Sequence, residues 1–167
     1  MYRKIEDFQK AYGTLREGTG KILASLSDQN LDQAVGEGHR NLGDLAWHIV
    51  TTIPEMMAQT GLGLSAVDPR SLPPHSAEKI RAAYEAASRE LAEAVAANWQ
   101  DATLAQEDEM YGQKWSRGMS LAILIHHEIH HRGQMTVLLR QAGAKVPGIY
   151  GPAKEEWTAY GQSPPPY

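Results

Sequence analysis

The chain has no cysteine. That absence removes disulfides, thiolate metal ligands, a cysteine nucleophile and every CxxC-type zinc or redox motif. His, Asp and Glu remain as the candidate ligands. A basic block is missing too: the 16 Lys and Arg residues are interspersed with 20 Asp and Glu, for a formal net charge of -4. Nothing in that pattern tracks a phosphate backbone, so no nucleic-acid partner is expected. No apolar run approaches the roughly 20 residues that span a bilayer. The opening segment MYRKIEDFQKAYG is charged throughout, unlike a secretory signal. The expectation is a cytoplasmic protein with no membrane partner. There is no internal repeat, and no series of alternating strands.

What is present reads as helix. At 167 residues the chain fits one domain with a core large enough to need no metal or disulfide staple. A metal would therefore call for a functional explanation. We place the domain at 1-160 and a Pro-rich tail at 161-167. A first helical segment, Ile5 to Leu26, carries Ile5, Phe8, Tyr12, Leu15, Ile22 and Leu26 at helical intervals. Gly13, Gly18 and Gly20 weaken it, so its middle is expected to be irregular. A second opens at Asn41, an N-cap with Asp44 three residues on, and ends at Gly61, with Pro54 expected to kink it. A third is capped by Ser76 and runs to Trp99. The pattern breaks between Thr103 and Gly118, where EMYGQKWSRG suits a tight turn or short hairpin at Gly112. A fourth runs from Ser116 or Ser120 to Gln141, with Gly143 as its C-cap glycine. One more helical turn is expected around Trp157.

Four of the seven histidines lie in His126-His127-Glu128-Ile129-His130-His131, flanked by the apolar strings LAILI and MTVLL. Histidines four apart sit one turn apart on one side of a helix and can converge on one ion. Two pairs qualify, 126/130 and 127/131. With His127 at zero, His131 falls at about 40°, and Leu124, Met135 and Leu138 at about 60°, 80° and 20°. That pair is predicted to point inward. His126 and His130, at about -100° and -60°, fall towards the edge of the apolar arc. His48, which shares its side of the second segment with Leu45, Ile49, Thr52 and Met56, is the natural third ligand. Three imidazoles with an open position match a catalytic zinc site and also suit nickel, iron or copper. The competing reading is a hydrogen-bonded polar layer.

Other residues draw plainer readings. His39 and His75 are expected in loops and solvated, and Met56, Met57, Met119 and Met135 to fill core. Arg132 and Arg140 are read as solvated or interface arginines, with a substrate carboxylate as the alternative. The string from His127 to His131 also matches HExxH. The metzincin continuation fails at Gln134 and Val137, and Glu155 or Glu156 would have to serve as third ligand in the other zincin type. With no upstream strands to bind a peptide, metallopeptidase activity is the weakest alternative.

NLGDLAWHI in the second segment and HHEIHHRGQMTVLLRQAGAKVPGIYGP in the fourth and its exit resemble the DinB-like (DinB/YfiT-like) metal-binding four-helix-bundle family over nearly the whole chain. The resemblance implies an all-α, antiparallel four-helix bundle with a long crossover connection, often a homodimer. It implies a divalent ion, zinc or nickel, held by His48, His127 and His131. Family members include S-transferases using a low-molecular-weight thiol such as bacillithiol or mycothiol, and isomerases of small acids; many have no assigned reaction. The expected function is metal-dependent activation of a small thiol or water, as an S-transferase or hydrolase acting on a small-molecule substrate. Glu128 and His130 are candidates to orient a ligand ring or shuttle a proton. The alternative is a non-catalytic dimeric metal- or ligand-binding protein.

Overall fold

The computed structural model describes residues 1–166 and is predominantly helical. Four long helices, α1 (Ile5–Leu23), α2 (Leu42–Ala58), α3 (Ala77–Asn98) and α4 (Arg117–Gln141), surround one hydrophobic core. A small antiparallel hairpin, β1 (Glu107–Met110) and β2 (Gln113–Ser116), precedes α4. α1 packs on α3 and α4, and α2 packs on the same two helices, so the contacts close into a ring. No helix is long and apolar enough to cross a membrane among the described residues.

The helix starts follow their capping residues. Asn41 accepts from the Asp44 amide at 2.8 Å while Asp44 accepts from the Asn41 amide at 3.3 Å, a reciprocal capping box. Ser76 and Ser116 cap α3 and α4 by accepting from Lys79 and Met119. α2 continues through Pro54, which is buried. Gly143, at φ 74°, ends α4 in the left-handed conformation that glycine adopts without strain.

α1 departs from expectation. It is unbroken, because its apolar face (Phe8, Tyr12, Leu15, Ile22) is completely buried and tertiary packing outweighs the weak helix propensity of its glycines. Gly18 has a positive role: a Cβ there would lie 2.7 Å from Ile149 Cγ2 and 2.9 Å from Arg132 Nη1. The expected hairpin exists. Tyr111 (φ 54°) and Gly112 (φ 77°) form its two-residue turn, whose positive φ values match the twist of the paired strands. A 3-10 turn, Lys154–Tyr160, carries Trp157.

The segment between α1 and α2 positions the site. Leu42 N–H donates to Gln33 at 2.8 Å and Gly43 N–H to Leu31 at 2.8 Å, while Ala34 and Asn41 form an antiparallel bridge. Residues 35–40 are thereby held as a closed loop at the start of α2.

Candidate metal centre

Where α2 packs on α4, the Nε2 atoms of His48 and His127 are 3.1 Å apart, and those of His131 and His127 are also 3.1 Å apart. One ligand nitrogen from each of the three lies within 4.8 Å of the others. The rings meet nearly edge-on, with interplanar angles of 68°, 80° and 74°. They present nitrogens, not ring faces, to a common point.

Both helices place these rings at the edge of a buried arc. On α4 the buried residues run from Leu138 through Met135 and Glu128 to Ile125, which spans about 20° to 160° from His127. On α2, Thr52, Leu45, Met56 and Ile49 begin the buried arc at about 40° from His48. The histidines are therefore half-buried at the α2–α4 seam; His127 and His131 do not point into the core, contrary to the inward placement that the periodicity predicts. Glu128 and Arg132 occupy the centre of the arc on α4 instead. A site on the seam is held by two helices yet opens to one side.

The donor set fits a divalent cation. Burial, then the charge of Arg40 and of His131, lowers the His48 pKa to about 4; burial, then the neighbouring histidines, lowers His127 to about 4. Burial lowers His131 as well. The rings are therefore neutral near pH 7 and each carries one N–H. His131 Nδ1 donates to the Gln134 Oε1 acceptor at 2.7 Å, so its Nε2 holds a lone pair. His127 Nε2 faces two ring nitrogens but can carry only one hydrogen. A cation satisfies three converging lone pairs at once, which a single shared proton does not. With a metal–nitrogen distance of about 2.05 Å, a 3.1 Å nitrogen separation subtends about 100°, between octahedral and tetrahedral angles.

Gln134 also contacts His130, Nε2 to Nε2, at 3.3 Å, so His130 sits on the exposed rim behind His131. His126 is exposed. His127 Nδ1 is buried with no hydrogen-bond partner among the described residues, so Glu128 does not orient that ring. Glu128 faces α1 and α3: Thr19 and Tyr84 hydroxyls both donate to its Oε1 at 2.6 Å. Burial raises its pKa despite those bonds and the Arg132 charge. Neither role expected of Glu128, ring orientation or proton shuttling, matches this placement.

Arg132 departs from the solvated placement expected of it, whereas Arg140 keeps that placement. Arg132 is buried, donating to the Leu15 carbonyl at 3.2 Å, to Thr19 Oγ1 at 3.1 Å and to Tyr150 at 2.8 Å. It is a structural clamp between α4, α1 and the C-terminal segment, with no free guanidinium to offer a substrate. Arg140 is exposed and paired with Glu155. His39 and His75 are exposed, and His75 contacts Asp32 at 3.2 Å. Met56, Met57 and Met135 are in the core, while Met119 is half-buried.

Beside His131, the one of the three histidines that lines it, is a cleft of about 450 Å³ bordered by Arg40, Leu45, Gln134 and Val137. Arg40 and Gln134 escaped the sequence reading as site residues. Gln134 carried a usable signal, three positions after His131 on the same helical face. Arg40 carried none, because its approach to the site depends on how the loop before α2 closes.

A model of the DinB family matches residues 1–165. The chain belongs to the DinB family. It is 41% identical over 165 residues to the uncharacterized protein YrdA of Bacillus subtilis (strain 168), covering 99% of each chain. The crystal structure of a DinB-like protein from Bacillus cereus ATCC 10987 is similar at TM-score 0.85 and 40% identity, over 90% of this chain and all 100% of that one. The DinB-like protein YjoA of Bacillus subtilis shares the fold, at TM-score 0.69 and 17% identity over 87% of this chain and 98% of that one.

Proposed function

We propose that this DinB-family chain is a metal-dependent enzyme in which His48, His127 and His131 hold one zinc or nickel ion and a small thiol or water is activated for S-transfer or hydrolysis. The observation that carries the reading is the convergence of three neutral Nε2 atoms on one point beside an open cleft. We read the helix arrangement as an antiparallel four-helix bundle with a long crossover, and a homodimer as its assembly.

A divalent ion held by His48, His127 and His131 would lower the pKa of a thiol or water beside it and so raise the fraction of nucleophile near neutral pH. A thiol brought from outside suits a chain with no cysteine of its own. The protein's part is positional. His48 and the His127–His131 pair fix three directions from two packed helices, and Gln134 sets the His131 tautomer by accepting its Nδ1 hydrogen. The cleft admits a small molecule on the remaining side. Glu128 is sealed behind the ligand helix, which speaks against the water-activating role that HExxH gives to glutamate in peptidases.

The test is metal content by mass spectrometry of tag-free wild type, His48→Ala and His131→Ala, followed by thiol–electrophile conjugation assays. Near-stoichiometric metal in wild type, lost in both variants, supports the centre, and metal-dependent conjugation or hydrolysis supports the enzyme. No metal after reconstitution with zinc or nickel sinks both. Metal without turnover leaves a non-catalytic metal-binding protein.

A further inference from the structure

The cleft that His131 borders has a chemical character of its own. One wall is apolar: Leu45 and Leu138 are nearly buried, while Val35 and Val137 are 64% and 54% exposed. These two valines are among the few large hydrophobic side chains left in solvent, and they border the same opening. Arg40 lies on the rim and makes no ion pair or side-chain hydrogen bond among the described residues, although the residue that follows it is held in place. Asn41, next to it, is both a bridge partner of Ala34 and the cap of α2. The backbone under Arg40 is thus fixed while its guanidinium is free.

An unpaired guanidinium over an apolar wall is complementary to a carboxylate attached to a short hydrocarbon body, because the planar fork matches the two carboxylate oxygens. We propose that this cleft is a subsite for such a group, with Arg40 taking the carboxylate and Val35, Leu45, Val137 and Leu138 taking the body. The substrate class of the three-histidine centre is then a small organic acid, presented with one end at Arg40 and the other towards His131. This assignment rests on the metal-site reading above for its chemistry, but the subsite itself needs no metal.

The test uses phenylpropionate and its neutral isostere phenylpropionamide, titrated into the full-length protein as purified and followed by NMR. Wild type, Arg40→Gln and His127→Ala are compared, with metal content measured in each sample. The acid should bind several-fold more tightly than the amide at low salt, up to roughly tenfold. The largest shifts should fall at Val35 and Val137. Arg40→Gln should abolish the preference for the acid and leave metal content and amide binding unchanged. His127→Ala should keep the preference. A preference that survives Arg40→Gln, shifts located elsewhere, or no binding of the acid at millimolar concentration would overturn the subsite. Probe binding that weakens as protein concentration rises would also overturn it, by showing that a second copy covers the valines. If no sample holds metal but the Arg40-dependent preference remains, the metal reading fails and the subsite stands.

Discussion

Gln134 Oε1 accepts the Nδ1 hydrogen of His131 at 2.7 Å, and among the described residues His131 is the only one of the three seam imidazoles whose outer nitrogen is fixed by another side chain. This bond forces the His131 lone pair onto Nε2, where it faces His127. Groups that hold a ligand ring in this way typically contribute 10- to 100-fold, of the order of that range, to metal affinity. Gln134→Leu should therefore weaken zinc binding by roughly tenfold with little change in fold. Competition against a chelator of known affinity measures it. An affinity equal to wild type would show that helix packing alone orients His131.

Gly18 and Gly13 sit on the same helix and should respond oppositely to alanine. At Gly18 the added methyl meets Ile149 and the Arg132 guanidinium within 3 Å, so Gly18→Ala should cost about 1–3 kcal/mol through overpacking. At Gly13 nothing lies within 4 Å, so Gly13→Ala should gain about 0.5–1 kcal/mol from helix propensity. Urea unfolding of both variants decides it. Equal effects would mean that the clamp between Arg132 and α1 relaxes without penalty.

That contrast also shows what local pattern can reveal. The helix starts at Asn41, Ser76 and Ser116, the hairpin at Gly112 and the glycine stop at Gly143 are local events, each readable within a few residues. The pairing of His127 with His131 followed from helical spacing, and His48 from its apolar neighbours. Burial at the seam did not. An arginine that reaches three partners on two other segments looks, in sequence, like any solvated arginine, so Arg132 was legible only once α1 and Tyr150 were in place. The same holds for Arg40. Its position over the cleft depends on the Ala34–Asn41 bridge, a contact that no periodicity announces.

The pH response of the metal-free protein follows from the lowered histidine pKa values. His48 and His127 titrate at about 4 when folded, against an ordinary value of 6.5. Between those values the unfolded chain binds more protons than the folded one, so stability is greatest above about pH 6.5 and falls as pH drops towards 4. His48→Gln should remove part of that dependence. Thermal melts of the chelated protein from pH 7.5 to 4, over the window set by the same shifts, would show it. A flat profile between pH 6.5 and 4.5, roughly the region of greatest slope, would mean that the rings protonate freely in the fold.

Glu128 offers the sharpest separation between a catalytic and a structural role. Its Oε1 accepts from both Thr19 and Tyr84 at 2.6 Å, and the residue is 1% exposed. Its Oε2 and the Tyr12 hydroxyl are both buried without a partner among the described residues. An amide keeps one oxygen to accept the two hydroxyls and adds an N–H in place of Oε2. Glu128→Gln should therefore stay within about 1 kcal/mol of wild type, whereas Glu128→Ala, which strands two buried hydroxyls and opens a cavity, should cost about 2–4 kcal/mol. Both variants should keep the metal wherever they fold, because neither change touches a ligand nitrogen. For an HExxH base the order would be different: Glu128→Gln would hold metal and stability but lose turnover by orders of magnitude. Unfolding free energies, metal content and conjugation rates on the same three proteins distinguish the cases. Loss of turnover in a stable, metal-loaded Glu128→Gln protein would put this carboxylate at the reaction, and the placement of the site on the open side of α4 would have to be given up.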